Sequence, residues 1–174
     1  MGKARKALII VDVQNDYFPG GTLPLWNSVG TLQQILKVVE KAKKLEMTIV
    51  LIQHVTDPDE PFDTFVKGSY GGEIHTELLE AVAGAPVVSK QSADAFRGTS
   101  LNKILDQLGV EEIFVCGMQT QNCVGLTAIS KQAEKYKVSI LADCCTAEAQ
   151  NVHYFALSGF GERLPVEHSD KLLI

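Results

Sequence analysis

Glu112-Ile113-Phe114-Val115-Cys116-Gly117-Met118-Gln119-Thr120-Gln121-Asn122-Cys123-Val124-Gly125 contains one whole passage from strand to helix. Residues 112–116 form an apolar, strand-like run, Gly117 breaks it, and a polar turn follows. Helical spacing then begins over 124–130, so Cys123 falls where a helix starts. A helix start presents unpaired backbone amides and the positive end of the dipole, both of which favour thiolate over thiol. The stretch therefore predicts an α/β unit with a candidate nucleophile at its strand end.

The rest of the chain repeats this alternation. β-Branched apolar runs occur at 7–13, 47–53, 86–89, 112–116, 138–141 and, more weakly, 162–166. Between them, residues 31–45 set Leu32, Ile35, Leu36, Val39 and Ala42 on one face and Lys37, Glu40, Lys41 and Lys44 on the other. Residues 99–108 group Leu101, Ile104, Leu105 and Leu108, and Gly109 stops the helix as a C-terminal glycine does. Strands buried on both faces and separated by helices predict a parallel sheet in a doubly wound, three-layer α/β/α domain. Residues 1–174 are expected to form that single domain.

Residues 55–75 break the pattern, with Pro58, Pro61, Gly68, Gly71 and Gly72 among Phe62, Phe65, Tyr70 and several acids. Such a segment is flexible filler or a lid over a site, and its aromatic content favours the lid. A net charge of −5 with no basic stripe argues against a nucleic-acid partner. Met1–Lys6 is basic and 7–11 apolar, but that run is too short for a signal peptide and ends in Asp12. No run approaches the roughly eighteen apolar residues of a membrane span, so a cytoplasmic, soluble chain with no membrane partner is expected. Cys116, Cys123, Cys144 and Cys145 match neither a disulfide framework nor zinc-ligand spacing. Cys116, Cys144 and Cys145 read as structural thiols.

In open parallel sheets ligands bind beyond the carboxyl ends of the strands, near the point where strand order reverses. Three reactive side chains belong there: Asp12 closes the first strand, Lys90 follows the third, and Cys123 follows the fourth after its turn. A cation at Lys90 favours thiolate, while Asp12 can take the thiol proton and return it to a leaving group. Each also has a plain reading. On that reading Asp12 is a turn former or helix cap, Lys90 a solvated cation, and Cys123 a small buried hydrophobe.

Three segments together resemble the isochorismatase-like cysteine hydrolases, a superfamily that includes nicotinamidases, N-carbamoylsarcosine amidohydrolases and streptothricin hydrolases. They are Val11-Asp12-Val13-Gln14-Asn15-Asp16-Tyr17, Lys90-Gln91-Ser92-Ala93-Asp94-Ala95-Phe96 and Gly117-Met118-Gln119-Thr120-Gln121-Asn122-Cys123-Val124. The resemblance spans nearly the whole chain in matching order. It implies a six-stranded parallel sheet of Rossmann-like order 3-2-1-4-5-6, with Asp12, Lys90 and Cys123 as a catalytic triad. It also implies a cis peptide before Gln119, which turns that amide toward the Cys123 amide to form an oxyanion hole. The activity implied is hydrolysis of a small-molecule amide through a thioester, by a homodimer or higher homo-oligomer that uses no cofactor.

Two departures narrow the expectation. Nicotinamidases carry an aspartate–histidine metal cluster after the second strand, whereas here that region reads Gln53-His54-Val55-Thr56-Asp57, with His75 far beyond. No metal is therefore expected. True isochorismatases lack the nucleophilic cysteine, so Cys123 argues against vinyl-ether cleavage. The remaining similarity is to streptothricin-hydrolase-like members, through Tyr17-Phe18-Pro19-Gly20-Gly21 and Ser92–Thr99. Gln14, Tyr17, Phe18, Leu23, Trp26, Phe62 and Phe65 are the candidate substrate-binding residues, with ordinary packing as the alternative for each aromatic. Gln14 and Asn15 either orient Asp12 or cap its turn. A rival function is a non-catalytic, redox-responsive binding protein with Cys123 as an oxidisable thiol.

Overall fold

The computed structural model describes residues 5–173; the basic start at 1–4 and the terminal Ile174 lie outside the described residues. Six strands form one all-parallel sheet, in the order β3-β2-β1-β4-β5-β6. These are β1 (Lys6–Val11), β2 (Thr48–His54), β3 (Val87–Lys90), β4 (Glu112–Met118), β5 (Lys137–Thr146) and β6 (Val166–Glu167). Ala7, Leu8, Ile9, Ile10 and Val11 are all essentially inaccessible, which explains why β1 has no polar alternation: both of its faces are core. Strand order reverses at β1, between β2 and β4. Right-handed crossovers on the two sides of that point leave from opposite faces, so helices cover both. That agrees with the expected fold class.

The helices are α1 (Ser28–Lys44), α2 (Thr76–Ala81), α3 (Leu101–Gln107), α4 (Gly125–Ala128), α5 (Gln150–Gly161) and α6 (Ser169–Leu172). In α1 the buried stripe is Leu32, Ile35, Val38, Val39 and Ala42; Leu36, expected in it, is only partly buried. No helix among the described residues is long and apolar enough to cross a membrane.

The largest departure from expectation follows β4. Instead of a continuous helix over 124–130, the chain makes a π-type turn at Thr120–Val124 and then only the four residues of α4. Ser130 ends that run by accepting from Gln132 N and opening a 3-10 turn at Lys131–Lys135. The π-type turn and α4 are contiguous, so helical backbone runs from Thr120 to Ala128 and Cys123 lies within its first turns rather than at its start. β5 is ten residues long because it bulges against β4, where pairing jumps from Val115↔Ile140 to Gly117↔Cys145. Gly117 is indispensable there: at φ +117° a Cβ would lie 2.1 Å from Val11 O. β6 shrinks to two residues and begins where the expected run ended.

Residues 55–75 are sewn to the β1–α1 connection by three consecutive polar side chains. Gln14 Nε2 donates to Gly72 O at 2.8 Å, and Asn15 Nδ2 donates to Tyr70 O at 2.8 Å. The buried Asp16 carboxylate accepts from Phe65 N at 2.7 Å and from Thr22 N at 3.2 Å. Backbone bonds from Asn15 N to Glu73 O and from Asp16 N to Gly71 O run alongside. A Cβ at Gly71 would fall 2.1 Å from Asp16 Oδ1, so the loop lies directly on that carboxylate. Charged acceptors make the stronger hydrogen bonds, and losing one strands buried amides. Asp16→Ala should therefore cost about 2 kcal/mol of stability, read from urea unfolding, and speed hydrogen exchange at Phe65 first.

Candidate functional site

The carboxyl ends of β1, β2, β3 and β4 converge on one point. Asp12 follows β1 in the left-handed region at φ +50°, an uncommon conformation that aspartate tolerates better than most residues. Its amide donates to Ile52 O at 3.0 Å, which fixes the carboxylate over the neighbouring strand. Lys90 closes β3 and sits directly opposite His54 of β2 in the parallel register, so their side chains share a face. Cys123 comes from the π-type turn after β4.

Lys90 Nζ lies 2.7 Å from Asp12 Oδ2, 3.3 Å from Cys123 Sγ and 2.9 Å from His54 Nδ1. The Lys90 and Asp12 side chains have no solvent exposure. The Asp12 contact is an ion pair rather than a well-aligned hydrogen bond, since neither carboxylate oxygen has a partner of good hydrogen-bond geometry. Asp12, His54 and Cys123 each present an atom within 4.8 Å of the others. The three residues expected to form a triad are therefore together, and His54 joins them. The one sequence signal for His54 is its place at the end of the second strand run.

Burial dominates the electrostatics. It raises the Asp12 carboxyl above the ordinary carboxylate range, against the pull of Lys90. Burial and the Asp12 charge push the Cys123 thiol up to about 12, with Lys90 opposing them. Burial thus works against the preformed thiolate that a helix start would favour. His54 is depressed to about 4 by burial and by the Lys90 cation, and is neutral at neutral pH.

The cis bond between Met118 and Gln119 is present. Among the described residues the Gln119 amide has no acceptor, while its carbonyl accepts from Asn122 N and Val124 N. The Gln119 side chain accepts from Gln121 Nε2 at 2.6 Å. Thr120 next to it donates to Thr146 O at 3.0 Å and lies 2.8 Å from His153 Nδ1, which anchors the turn to β5 and α5. Nothing in the amphipathic pattern marks His153 as a partner for a residue 33 positions away.

The candidate substrate-binding residues divide. Tyr17 is buried beside the triad: burial, and the negative charges Cys123 and Asp12 carry when ionised, raise its phenol pKa. Phe65 meets Tyr17 edge-on at 4.8 Å and His54 at 5.5 Å. Phe18 packs on His75 at 4.5 Å instead. Trp26 packs on His153 and Tyr154 around a separate cavity of about 180 Å³. Leu23 and Phe62 are solvent-exposed, at 38% and 65%. Gln14 spends both Nε2 hydrogens on His54 O and Gly72 O and accepts from His54 N, so its amide clamps β2 and the 55–75 segment to the β1–α1 connection. An open depression of about 700 Å³ lies beside the Lys90 strand end, edged by Ser89, Ser92 and Arg97.

The Isochorismatase domain family model matches residues 6–163. The uncharacterized isochorismatase family protein YddQ of Bacillus subtilis (strain 168) is 30% identical over 85% of this chain and 87% of its own length. A nicotinamidase of Acinetobacter baylyi is 26% identical, with 83% of each chain covered. Among solved structures, the zinc complex of pyrazinamidase from Pyrococcus horikoshii superposes with a TM-score of 0.85 at 26% identity, covering 94% of this chain and 99% of that one.

The charge arrangement around sulfur makes a directional prediction. Asp12 raises the thiol pKa and Lys90 lowers it, so Asp12→Asn should move Cys123 ionisation to lower pH. The rate of iodoacetamide alkylation of the Cys123 peptide, followed by mass spectrometry from pH 6 to 11, measures the shift. In the wild-type protein the rate should climb through about pH 10 without a plateau.

Proposed function

The chain belongs to the isochorismatase family, and on that premise we propose that it is a cysteine-dependent, metal-independent amidohydrolase that cleaves a C–N bond of a small molecule. One observation carries the reading: a fully buried ammonium touches a carboxylate at 2.7 Å and a thiol at 3.3 Å, at the strand ends where such sheets bind ligands. A redox-responsive binding protein has no use for a buried carboxylate and ammonium beside its thiol. The amide-hydrolase names of its relatives point the same way.

In this mechanism Asp12 takes the thiol proton as Cys123 Sγ attacks the amide carbonyl. The raised thiol pKa requires that coupling, and the raised carboxyl pKa narrows the gap the proton must cross. Backbone N–H groups of Gln119 and Cys123 receive the developing oxyanion, the Gln119 amide having no competing acceptor among the described residues. Asp12 then hands its proton to the departing nitrogen, which leaves as amine or ammonia, and a thioester remains on Cys123. Water gives a proton to the same carboxylate and attacks the thioester. The proton returns to sulfur, the acid departs, and one water has been consumed for one C–N bond. Tyr17 and Phe65 form the apolar wall beside the reacting carbonyl.

A divalent metal does not fit this donor set. Asp12, His54 and Cys123 have suitable atoms, but the Lys90 ammonium already occupies the point they share. A second cation there would meet the full repulsion of a buried charge. Gln53, the neighbouring polar side chain, is committed to Gly72 O.

A panel of small amides scored by ammonia or amine release tests the proposal. Cys123→Ala should abolish turnover, and Asp12→Asn should lower kcat by about a thousandfold or more despite its easier thiolate. Dialysis against a chelator should leave the wild-type rate unchanged. Turnover that survives Cys123→Ala overturns the thioester route, and loss on chelation overturns metal independence.

A further inference from the structure

An ammonium has three N–H donors and no acceptor, and one buried away from water needs all three satisfied. Lys90 has three partners: hydrogen bonds to His54 Nδ1 at 2.9 Å and Cys123 Sγ at 3.3 Å, and an ion pair with Asp12 Oδ2 at 2.7 Å. Two of these change character during the proposed reaction. Asp12 alternates between carboxylate and carboxylic acid, which removes the opposite charge when the proton is on it. Cys123 becomes a thioester, whose sulfur is a poor acceptor. His54 alone is the same group at every stage.

The geometry also sets its tautomer. An ammonium only donates, so Nδ1 must carry the lone pair and the ring proton must sit on Nε2. The ring is held by more than this contact. Gln14 clamps the His54 backbone from both sides, accepting from its N–H at 2.8 Å and donating to its carbonyl at 2.9 Å. Phe65 lies against the ring at 5.5 Å. The parallel register sets His54 directly opposite Lys90. The charged and titratable groups around it are Lys90, Asp12 and Cys123, and of these the cation is in direct contact.

We propose that His54 is a positioning residue, whose Nδ1 lone pair holds the Lys90 ammonium in place beside Asp12 and Cys123 through both halves of the reaction. The inference rests on the reading of Cys123 as the nucleophile. Burial and the adjacent cation keep the ring from protonating, so the anchor persists under mildly acidic conditions. Without it the ammonium keeps one ion-pair partner and one weak sulfur acceptor at rest, and the sulfur alone once Asp12 is protonated.

Two measurements test this without any knowledge of the substrate. The first uses the wild-type protein labelled with nitrogen-15 histidine. The His54 ring should give the Nε2–H tautomer pattern, with no titration from pH 8 down to about 5. An Nδ1–H tautomer, or an imidazolium at pH 7, overturns the proposal. The second follows alkylation of the Cys123 peptide against pH in His54→Leu and His54→Asn, with circular dichroism confirming the fold. His54→Leu removes the acceptor and should slow alkylation between pH 7 and 9 by about tenfold, shifting the profile to higher pH as the cation's pull on the thiol weakens. His54→Asn returns an acceptor oxygen and should recover most of the loss. Equal profiles for the Leu variant and the wild type, or equal losses in both variants, overturn the proposal. A wild-type Cys123 that resists alkylation up to pH 11 instead sinks the nucleophile reading, and the tautomer measurement keeps the two failures apart.

Discussion

A single buried ion pair organises this molecule: Lys90 against Asp12 at 2.7 Å, both side chains out of contact with water. Removing two such charges from solvent is expensive, and their attraction offsets it only where geometry is tight and the remaining donors are used. The structure meets that demand through the ends of four strands. Asp12 turns into the left-handed region after β1, Lys90 and His54 stand opposite each other across β3 and β2, and the turn after β4 delivers Cys123. Shifting any one strand by a residue would leave a buried charge without a partner. The parallel register and the site are for this reason one constraint.

The supports lie just behind it. Gln14, Asn15 and Asp16 are consecutive, buried and polar, and each spends its side chain on backbone groups of 55–75 or of β2. A loop rich in glycine and proline has little stability of its own, and these bonds give it a fixed path. That path brings Phe65 over Tyr17 and His54. On the other side, Thr120 ties the turn before Cys123 to Thr146 and His153. The backbone that must hold a reacting carbonyl is gripped from two elements distant in sequence.

Legibility followed the physics of range. Six strand-like runs were visible because buried strands leave uninterrupted β-branched segments, and the 31–45 helix because its apolar face repeats every three to four residues. Asp12, Lys90 and Cys123 were visible because they close or follow such runs. The four-residue length of α4 was not, since its end is set by Ser130 turning to Gln132 N. Nor was the raised pKa of the Cys123 thiol. A helix start argues for thiolate, but burial and the neighbouring Asp12 charge raise the thiol instead. From its position Gln14 reads as substrate-binding, as orienting Asp12 or as capping its turn; its three backbone partners, two of them in β2 and one in 55–75, appear only in the fold.

By itself, then, the sequence determined the alternation of strands and helices, and which reactive residues stand at strand ends. Both are properties of local pattern, carried by side-chain period and by neighbours along the chain. The tertiary structure decided what those residues touch, and hence their protonation. It joined His54 to Lys90 across 36 positions and buried Asp12 completely. Those are consequences of register and desolvation, which depend on distances in space that no stretch of sequence encodes alone.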